Sequence, residues 1–363
     1  MLKGMVMNAM IQHRLHPAFA DQFGRSKYKL RISVTDRCNF KCVYCMPEHP
    51  EWVKKHDLLS FDELYQFCDF MVQHGIEHIR ITGGEPLMRQ GVVHFVEQLQ
   101  KLKKIGLKKI SMTSNAHYLK KYALPLKQAG LDNINISLDS LDVSQFKALT
   151  KKEIQPVLDG IFEAKRVGLP IKINTVLIKG VNEDQILPLA KWSIEHQFTL
   201  RFIEFMPLDG DAYWTNSHVV TEQEILTELK QEFDLTSKQG QSSEPARQYF
   251  INGHQIGIIS TISNSFCGTC DRVRLTAQGD FYNCLFSAQG ISLKSQIKAL
   301  NDSVLTQTES LAKQTLAQTL SKYIWLKEKG FYDIYPQTVN SHSDSINHSK
   351  TTSRKISMYM IGG

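Results

Sequence analysis

The chain has 363 residues, of which 42% are hydrophobic and 22% are charged. This ordinary globular composition excludes a wholly disordered or collagen-like chain, and the length predicts two or three domains of roughly 150 residues each. No apolar run reaches the ~18 residues needed to span a bilayer, which excludes an integral membrane protein. The net charge of +7 permits a phosphate-bearing ligand but does not indicate nucleic-acid binding. Seven cysteines favour metal binding in a reduced compartment over a disulfide scaffold.

The first 20 residues contain no acidic side chain. A secretory signal is excluded because the apolar stretch after Lys3 is short and is interrupted at Asn8. Arg14 and the lack of acids fit a mitochondrial presequence, whereas the absence of serine opposes one. We therefore predict a cytoplasmic protein.

Strand and helix patterns alternate between residues 30 and 206. Six β-branched or apolar runs predict strands over Leu30–Val34, His78–Thr82, Lys109–Thr113, Asn133–Leu138, Ile171–Ile178 and Leu200–Phe205. Between them, helical periodicity covers Phe61–His74, Val92–Ile105, Leu119–Ala129, Ile154–Val167 and Asp184–His196. Four of these helices are followed by a glycine, which can end a helix in the left-handed conformation: Gly75, Gly106, Gly130 and Gly168. The alternation predicts a parallel sheet, either doubly wound and open or an incomplete barrel.

The pattern changes after Met206. Thr221 and Glu224 form a capping box that opens a helix to Phe233, and residues 248–262 predict a strand pair that turns at Gly253. Helical segments extend to about residue 330, and residues 337–355 are polar and predicted to be flexible.

The first cysteine triad follows the first predicted strand, at the carboxyl end where active sites of parallel sheets lie. Cys38, Cys42 and Cys45 have the spacing Cys-x3-Cys-x2-Cys. Three thiolates suit a four-iron cubane with one iron left for a non-protein ligand. The alternative is a zinc knuckle that borrows a fourth ligand, such as His49.

A second triad lies in the carboxyl-terminal part of the chain. Cys267, Cys270 and Cys284 again provide three ligands without a nearby fourth, which favours a second open cluster over zinc. Arg272 and Arg274 share one face if this segment is extended, so their guanidinium groups suit a polyphosphate. A solvated charged strand is the alternative.

The first triad, with Tyr44 before its third cysteine, resembles that of the radical S-adenosylmethionine superfamily. Together with the second triad and other motifs, it resembles the GTP 3′,8-cyclase family over nearly the whole chain. The motifs are Asp21-x-Phe-Gly-Arg25, Leu30-Arg-Ile-Ser-Val-Thr-Asp-Arg-Cys38, Arg80-Ile-Thr-Gly-Gly-Glu-Pro-Leu87, Ile136-Ser-Leu-Asp139, Arg201-Phe-Ile-Glu-Phe-Met-Pro-Leu208, Arg272-Val-Arg274 and Gly362-Gly363.

This resemblance implies an α/β fold, an incomplete (β/α)6 TIM-type barrel with a carboxyl-terminal iron–sulfur domain. The implied domains are an amino-terminal segment (1–29), the barrel (30–235), the iron–sulfur and GTP-binding domain (236–336) and a flexible tail (337–363). The implied activity is cyclisation of GTP to (8S)-3′,8-cyclo-7,8-dihydroguanosine 5′-triphosphate, the first step of molybdenum cofactor biosynthesis. A 5′-deoxyadenosyl radical would abstract the ribose 3′ hydrogen, and the resulting carbon radical would attack C8 of guanine before reduction.

The resemblance also implies the site residues and cofactors. One [4Fe-4S] cluster would be held by Cys38, Cys42 and Cys45, and a second by Cys267, Cys270 and Cys284. S-adenosylmethionine would contact Tyr44, Gly83, Gly84, Ser137 and Met206. GTP would be held by Arg31, Arg80, Thr113, Lys172, Arg272 and Arg274, and the catalytic residues would be Arg31, Gly362 and Gly363.

One position departs from the family pattern, since Ala116 replaces the glycine of the usual Thr-Asn-Gly. We expect a local distortion if the turn needs a positive φ. The expected partners are GTP, a downstream cyclic pyranopterin monophosphate synthase and a second copy in a homodimer, with no nucleic acid and no membrane. Two alternatives stay open: a peptide-modifying radical enzyme and a zinc-stabilised nucleic-acid-binding protein.

Overall fold

The computed structural model describes residues 18–208, 211, 213–237, 245–306, 309–335 and 357–362. Within these ranges, twelve strands form one sheet. The strands are β1 (Lys29–Ser33), β2 (His78–Thr82), β3 (Lys109–Ser114), β4 (Asn133–Ser137), β5 (Ile171–Leu177), β6 (Thr199–Glu204), β7 (Leu235–Ser237), β8 (Arg247–Ile251), β9 (His254–Ile259), β10 (Arg272–Leu275), β11 (Asp280–Tyr282) and β12 (Ile291–Ser292).

Helices follow the first six strands and also close the described part of the chain. They are α1 (Phe61–Gln73), α2 (Val92–Gln100), α3 (Leu119–Gln128), α4 (Val143–Thr150), α5 (Gln155–Arg166), α6 (Ile186–Glu195), α7 (Glu222–Leu229), α8 (Lys294–Thr306), α9 (Glu309–Trp325), α10 (Phe331–Ile334) and α11 (Met358–Ile361). None of the helices described is long and apolar enough to cross a membrane.

The six predicted strands are confirmed within one or two residues at each end. The glycines after the helices have the positive φ expected of them, from 71° at Gly168 to 122° at Gly106. The capping box of α1 is also present, since the Ser60 side chain accepts from the Glu63 amide while the Glu63 carboxylate accepts from the Ser60 amide. These local signals therefore set the element boundaries.

Three helix predictions differ from the structure. The predicted helix to Ile105 ends as an α-helix at Gln100 and continues as a 3-10 turn. The helix after Thr221 ends at Leu229 instead of Phe233. Helix α4 was not predicted, although Asp142 caps it by accepting from the Gln145 amide at 2.7 Å. A segment of eight residues has too few turns for a distinct helical period.

The sheet has the strand order β12-β11-β10-β1-β2-β3-β4-β5-β6-β9-β8-β7. Strands β1 to β6 are parallel, and the carboxyl-terminal part of the chain extends both sides of this run. Strand β10 pairs in parallel with β1, and β9 pairs in parallel with β6. Because residues from all six central strands line one cavity, the sheet curves around it and stays open between β12 and β7. This arrangement is an incomplete barrel, not a flat doubly wound sheet.

The described amino-terminal residues are tied to the outside of this sheet. Phe19 stacks on His74 at the end of α1, with ring centroids 5.2 Å apart, and Ala20 forms a β-bridge with Ser26. This segment leads directly into β1. The prediction of a separate segment over residues 1–29 falls largely on residues 1–17, which lie outside the described residues.

Candidate active site

A cavity of about 490 Å³ lies inside the curved sheet. It is bounded by side chains of the six central strands, the loops that follow them and the cysteine-rich segment before β10. Of the predicted site residues, those that line it are Arg31, Cys38, Cys42, Tyr44, Cys45, Arg80, Gly83, Gly84, Thr113, Ser137, Lys172, Met206, Cys267, Cys270, Arg272, Arg274 and Cys284. Residues far apart in sequence thus share one chamber.

The first cysteine triad occupies the loop that follows β1. The amides of Cys45 and Met46 both donate to the carbonyl of Cys42, at 3.0 and 2.9 Å, which coils the loop into a tight turn. The Asn115 side chain donates to the Cys38 sulfur at 3.7 Å. The cysteines are free thiols at the cavity wall, so the loop presents three sulfur ligands to one space.

Gly83 and Gly84 follow β2 and allow this loop to come close. A Cβ on Gly84 would lie 2.5 Å from the Asp36 carbonyl oxygen, and one on Gly83 would lie 2.6 Å from the Thr35 carbonyl oxygen. Any side chain here would push away the loop that leads to Cys38. The pair therefore serves the packing of the cysteine loop, in addition to the close ligand approach expected from the sequence.

Burial strongly affects the thiols of the first triad. It raises the pKa of Cys38 to about 12 and raises the pKa values of Cys42 and Cys45 as well. Burial therefore favours the protonated thiols over the thiolates. Metal binding must release the protons, and the donor set fits an iron–sulfur cluster, whose irons supply the charge that stabilises buried thiolates.

The second triad faces the same cavity from the other end of β1, because Cys270 lies just before Arg272, the register partner of Lys29 at the start of that strand. A 3-10 turn over Cys267–Thr269 places Cys267 and Cys270 together, and Cys284 follows β11. Burial would raise the pKa of Cys270, but the positive charges of Arg272 and Lys327 outweigh it and hold this pKa at about 6. This thiol is therefore prepared for metal ligation.

Among the residues that the structure describes, no three His, Cys, Asp or Glu side chains converge on a point where they could hold a single ion. A structural zinc site brings four ligands to one ion. In a four-iron cubane, each thiolate binds a different iron, so the thiolates surround a cluster that is larger than a single metal ion.

Arginines and lysines from neighbouring strands project into the cavity. The strand register aligns Arg31 with Arg80 on one side and with Arg274 on the other. Burial, together with the neighbouring guanidinium groups, lowers the pKa values of Arg31 and Arg274. Because like charges at this density repel, the group is stabilised by an anion of high charge. The extended backbone of β10 confirms that Arg272 and Arg274 share a strand face.

Uncharged polar groups complete this wall. Within the described part of the chain, the buried Thr113 hydroxyl and the Asn174 amide oxygen have no hydrogen-bond partner. Both line the cavity. Buried polar atoms of this kind are ordinarily satisfied, which indicates that a polar ligand supplies the missing partners.

The chain's last described residues reach into the site. The Met358 amide donates to the Leu208 carbonyl at 3.0 Å, and the Tyr359 ring packs edge-on against Trp52 at 5.9 Å. The Arg274 guanidinium donates to the Gly362 carbonyl. Gly363 lies outside the described residues, as does most of the predicted flexible tail (337–355).

Two cavity residues, Asp139 and Arg201, and the buried Glu85 next to Gly84 were not selected from the sequence. Tyr44 donates to Asp139 at 2.6 Å, and burial raises the pKa of Asp139 to about 6. Glu85 is also buried, with a pKa raised to about 7, and it accepts from Ser114 and from the Asn115 amide. Arg201 lies on β6 at the cavity wall. All three stand in the quoted motifs, but sequence alone does not reveal that they are buried.

Two family models match this chain. The radical SAM superfamily model covers residues 32–193, and the Molybdenum Cofactor Synthesis C model covers residues 198–332. Together they span the barrel strands and the second cysteine triad.

Curated relatives are similar over most of their length. The GTP 3′,8-cyclase of Streptomyces coelicolor is 42% identical over 287 residues, which are 77% of this chain and 84% of that protein. The GTP 3′,8-cyclase of Thermodesulfovibrio yellowstonii is 38% identical over 317 residues, 85% of this chain and 94% of that protein. The Staphylococcus aureus (strain MRSA252) enzyme of the same name is 39% identical over 290 residues, 77% of this chain and 85% of that protein.

Solved structures share the fold at low sequence identity. Streptococcus suis SuiB bound to S-adenosylmethionine has a TM-score of 0.58 at 15% identity, covering 76% of this chain and 65% of that chain. Native anSMEcpe with bound AdoMet has a TM-score of 0.51 at 16% identity, covering 73% and 77%. These likenesses confirm the TIM-type α/β fold. From the curated relatives and the two family models, the chain belongs to the GTP 3′,8-cyclase family of the radical SAM superfamily.

Proposed function

We propose that this protein is a radical S-adenosylmethionine enzyme that converts GTP to (8S)-3′,8-cyclo-7,8-dihydroguanosine 5′-triphosphate, the first step of molybdenum cofactor biosynthesis. The observation that carries the proposal is that both cysteine triads and the arginine group line one cavity. Relatives named for this activity support it.

In this proposal, each triad holds one [4Fe-4S] cluster. Cys38, Cys42 and Cys45 hold the cluster that binds S-adenosylmethionine, and Cys267, Cys270 and Cys284 hold the one that faces GTP. When bound, these groups supply the one-electron chemistry that removes the ribose 3′ hydrogen and forms the bond between C3′ and C8. The donor set fits a second cluster, because three half-buried thiols face the cavity there.

The wall on the side of the first triad is assigned to S-adenosylmethionine. Gly83 and Gly84 keep the cysteine loop in place, and Tyr44, Ser137 and Met206 form the surrounding wall. Because Asp139 accepts from the Tyr44 hydroxyl, the tyrosine ring is fixed beside the cysteines. The protein's contribution here is orientation of the reacting atoms.

We assign binding of the triphosphate to the arginine group. The cations come from the adjacent strands β10, β1 and β2 and from the more distant β5: Arg272, Arg274, Arg31, Arg80 and Lys172. Thr113 on β3 adds a hydroxyl that has no partner in the described structure. Charge-assisted bonds from several guanidinium groups would fix the nucleotide's position. The tail contributes through Gly362, which closes the cavity beside Arg274 and helps exclude water, and we assign a catalytic role to it, Gly363 and Arg31.

We also propose the domain boundaries, the enzyme that uses the product and the oligomeric state. The iron–sulfur and GTP-binding domain would span residues 236–336 after a barrel over 30–235, even though strands of both ranges share one sheet. A cyclic pyranopterin monophosphate synthase would consume the product. A cytoplasmic homodimer is the expected state.

The peptide-modifying alternative has one supporting observation, the fold shared with SuiB. At 15% identity, this similarity shows a shared fold and gives no information about the substrate. Relatives at 38–42% identity favour GTP instead.

The proposal is tested on anaerobically reconstituted protein. We expect about eight irons per chain, from two cubanes, and conversion of GTP to an isomer of equal mass that separates from GTP by chromatography. The isomer should require S-adenosylmethionine and a reductant. About four irons per chain would contradict the two-cluster assignment, and unchanged GTP alongside cleaved S-adenosylmethionine would contradict the substrate.

A further inference from the structure

Three buried cations lie behind the second cysteine triad, and each contacts a backbone carbonyl of a cysteine-bearing segment. Arg25 donates to the Cys267 carbonyl at 2.8 Å. Lys27 donates to the Cys270 carbonyl at 3.0 Å. Lys327 donates to the carbonyl of Asn283, the residue before Cys284. We call Arg25, Lys27 and Lys327 the cation bracket.

The bracket joins three distant parts of the chain. Arg25 also donates to the carbonyls of Glu328 and Lys329, at 2.8 and 2.5 Å. It thereby ties the amino-terminal segment to the residues after α9. The carbonyls that accept these hydrogen bonds belong to Cys267, to Cys270 and to the residue before Cys284. The bracket therefore fixes the relative positions of the three ligands.

The charges of the bracket are costly to bury. Lys27 is fully buried, and Lys327 is 2% exposed. Asp21 offsets part of this charge, with ion pairs to Lys27 at 2.6 Å and to Arg25 at 2.7 Å. Burial of such charges is unfavourable unless partners of opposite charge are close, so one aspartate for three cations leaves positive charge uncompensated.

No other carboxylate balances this excess among the residues that the structure describes. Asp271 lies nearby but pairs with Lys29 at 3.0 Å, and no ion pair is formed there by Lys327. Arg25 and Lys27 are not among the residues that line the cavity, so their charges are not available to a nucleotide. An anionic group in contact with the triad is the partner that remains. A cubane on three thiolates is such a group, because the thiolate charges exceed the charge of the core.

We infer that Arg25, Lys27 and Lys327 are positioning residues for the second iron–sulfur cluster: they hold its three ligand segments in register and offset its negative charge. The inference rests on the proposed second cluster and adds to its site Arg25 and Lys27, which lie outside the cavity, and Lys327, which lines it. Positive charge beside an iron–sulfur cluster favours the reduced form. The bracket therefore also raises the cluster's reduction potential.

The test compares Lys27→Met and Lys327→Met with the wild type and with Lys103→Met. The control removes a half-buried lysine that pairs with Asp132 at 2.8 Å, far from both triads. Each protein is reconstituted anaerobically. Iron per chain, the rate of iron loss to a chelator and the midpoint potential of each cluster by redox-titrated electron paramagnetic resonance are then measured.

We expect the two bracket variants to lose iron from the second cluster at least tenfold faster than the wild type and to fall towards about four irons per chain. Any second cluster that remains should have a lower midpoint potential. The first cluster and reductive cleavage of S-adenosylmethionine should be unchanged, and Lys27→Arg, which keeps the charge, should retain more of the second cluster than Lys27→Met.

Two results would overturn the inference. One is that both bracket variants match Lys103→Met in iron content, chelator rate and potential. The other is loss of both clusters together, because the cations would then stabilise the whole fold and not this cluster. These outcomes are separate from a failure of the proposed function, in which the wild type itself would carry about four irons or would leave GTP unchanged.

Discussion

At the scale of single residues, the site is governed by buried charge. Burial raises the pKa values of the thiols in the first triad and so opposes their ionisation. The arginines of the cavity are crowded: burial lowers the pKa values of Arg31 and Arg274, and neighbouring guanidinium groups lower them further, Arg80 acting on Arg31 and Arg31 acting on Arg274. Both features disappear when ligands arrive: irons stabilise thiolates, and phosphates separate guanidinium groups. Ligands that carry the complementary charge therefore stabilise both groups of side chains.

Removal of Arg272 or Arg274 should therefore weaken GTP binding. We expect Arg272→Ala and Arg274→Ala each to raise the Kd for GTP about tenfold or more, because a hydrogen bond to a charged group contributes about 1.5–3 kcal/mol. Reductive cleavage of S-adenosylmethionine should persist. Equilibrium binding of GTP to the reconstituted protein measures the effect, with Arg166→Ala, an exposed arginine paired with Glu163, as the control. Wild-type affinity in both cavity variants would refute the phosphate assignment.

Gly362 should tolerate no side chain. Its φ is +73°, and an added Cβ would lie 2.7 Å from the Thr82 Cβ. We expect Gly362→Ala to lose at least tenfold in GTP cyclisation while the iron content stays normal, because the tail can no longer sit beside Arg274. Turnover is measured by chromatography of the nucleotide product.

Gly180→Ala provides the matched control for this variant. Gly180 has a similar φ of +77°, but no atom lies within 4 Å of the added Cβ. It therefore separates backbone strain from the steric clash in the site. If Gly362→Ala and Gly180→Ala cyclised GTP at equal rates, the position of Gly362 beside Arg274 would not affect catalysis.

At the scale of elements, close packing of helices α3 and α5 depends on one glycine. Gly160 lies within α5 and is buried against the Ala116 carbonyl. A Cβ added to Gly160 would overlap this carbonyl oxygen and would lie 3.0 Å from the Leu119 Cβ. The turn at Ala116 does have a positive φ, 60°, as the family's glycine would. The alanine is accommodated there, and its amide donates to the Ser114 hydroxyl at 3.0 Å.

We expect Gly160→Ala to lower the free energy of unfolding by about 1–3 kcal/mol. Alanine gains about 1 kcal/mol in helix propensity over glycine, but overpacking of a filled core costs more than this. Urea denaturation measures the change. Glu163→Ala, on the exposed side of the same helix, should stay within about 0.5 kcal/mol of the wild type. Stabilisation by Gly160→Ala would mean that the two helices can separate at no cost.

Element positions could be predicted from the sequence because their signals are local. Capping boxes, helix-ending glycines and β-branched runs each act over a few residues, and the strands from Leu30 to Phe205 were placed correctly on that basis. The pairing of β10 with β1 could not be predicted this way. These strands are separated by most of the chain, and no periodicity records which distant strands meet.

At the scale of the whole molecule, the carboxyl-terminal part completes the cavity that the six central strands begin. Strand β10 places Arg272 and Arg274 beside Arg31, and the turn before it brings Cys267 to the same space. The sequence motifs could identify the cysteines and arginines. They could not reveal the roles of Asp139, Glu85 or the cation bracket, since burial and contacts between distant segments appear only in the folded chain.

The central claim is that both triads serve one nucleotide in one chamber. It is tested most directly by incubating the reconstituted protein with S-adenosylmethionine, dithionite and GTP that carries deuterium at the ribose 3′ position. We predict that 5′-deoxyadenosine gains one deuterium and that the cyclised nucleotide has lost it, as measured by mass spectrometry. Unlabelled 5′-deoxyadenosine, with deuterium retained in the nucleotide, would contradict the account.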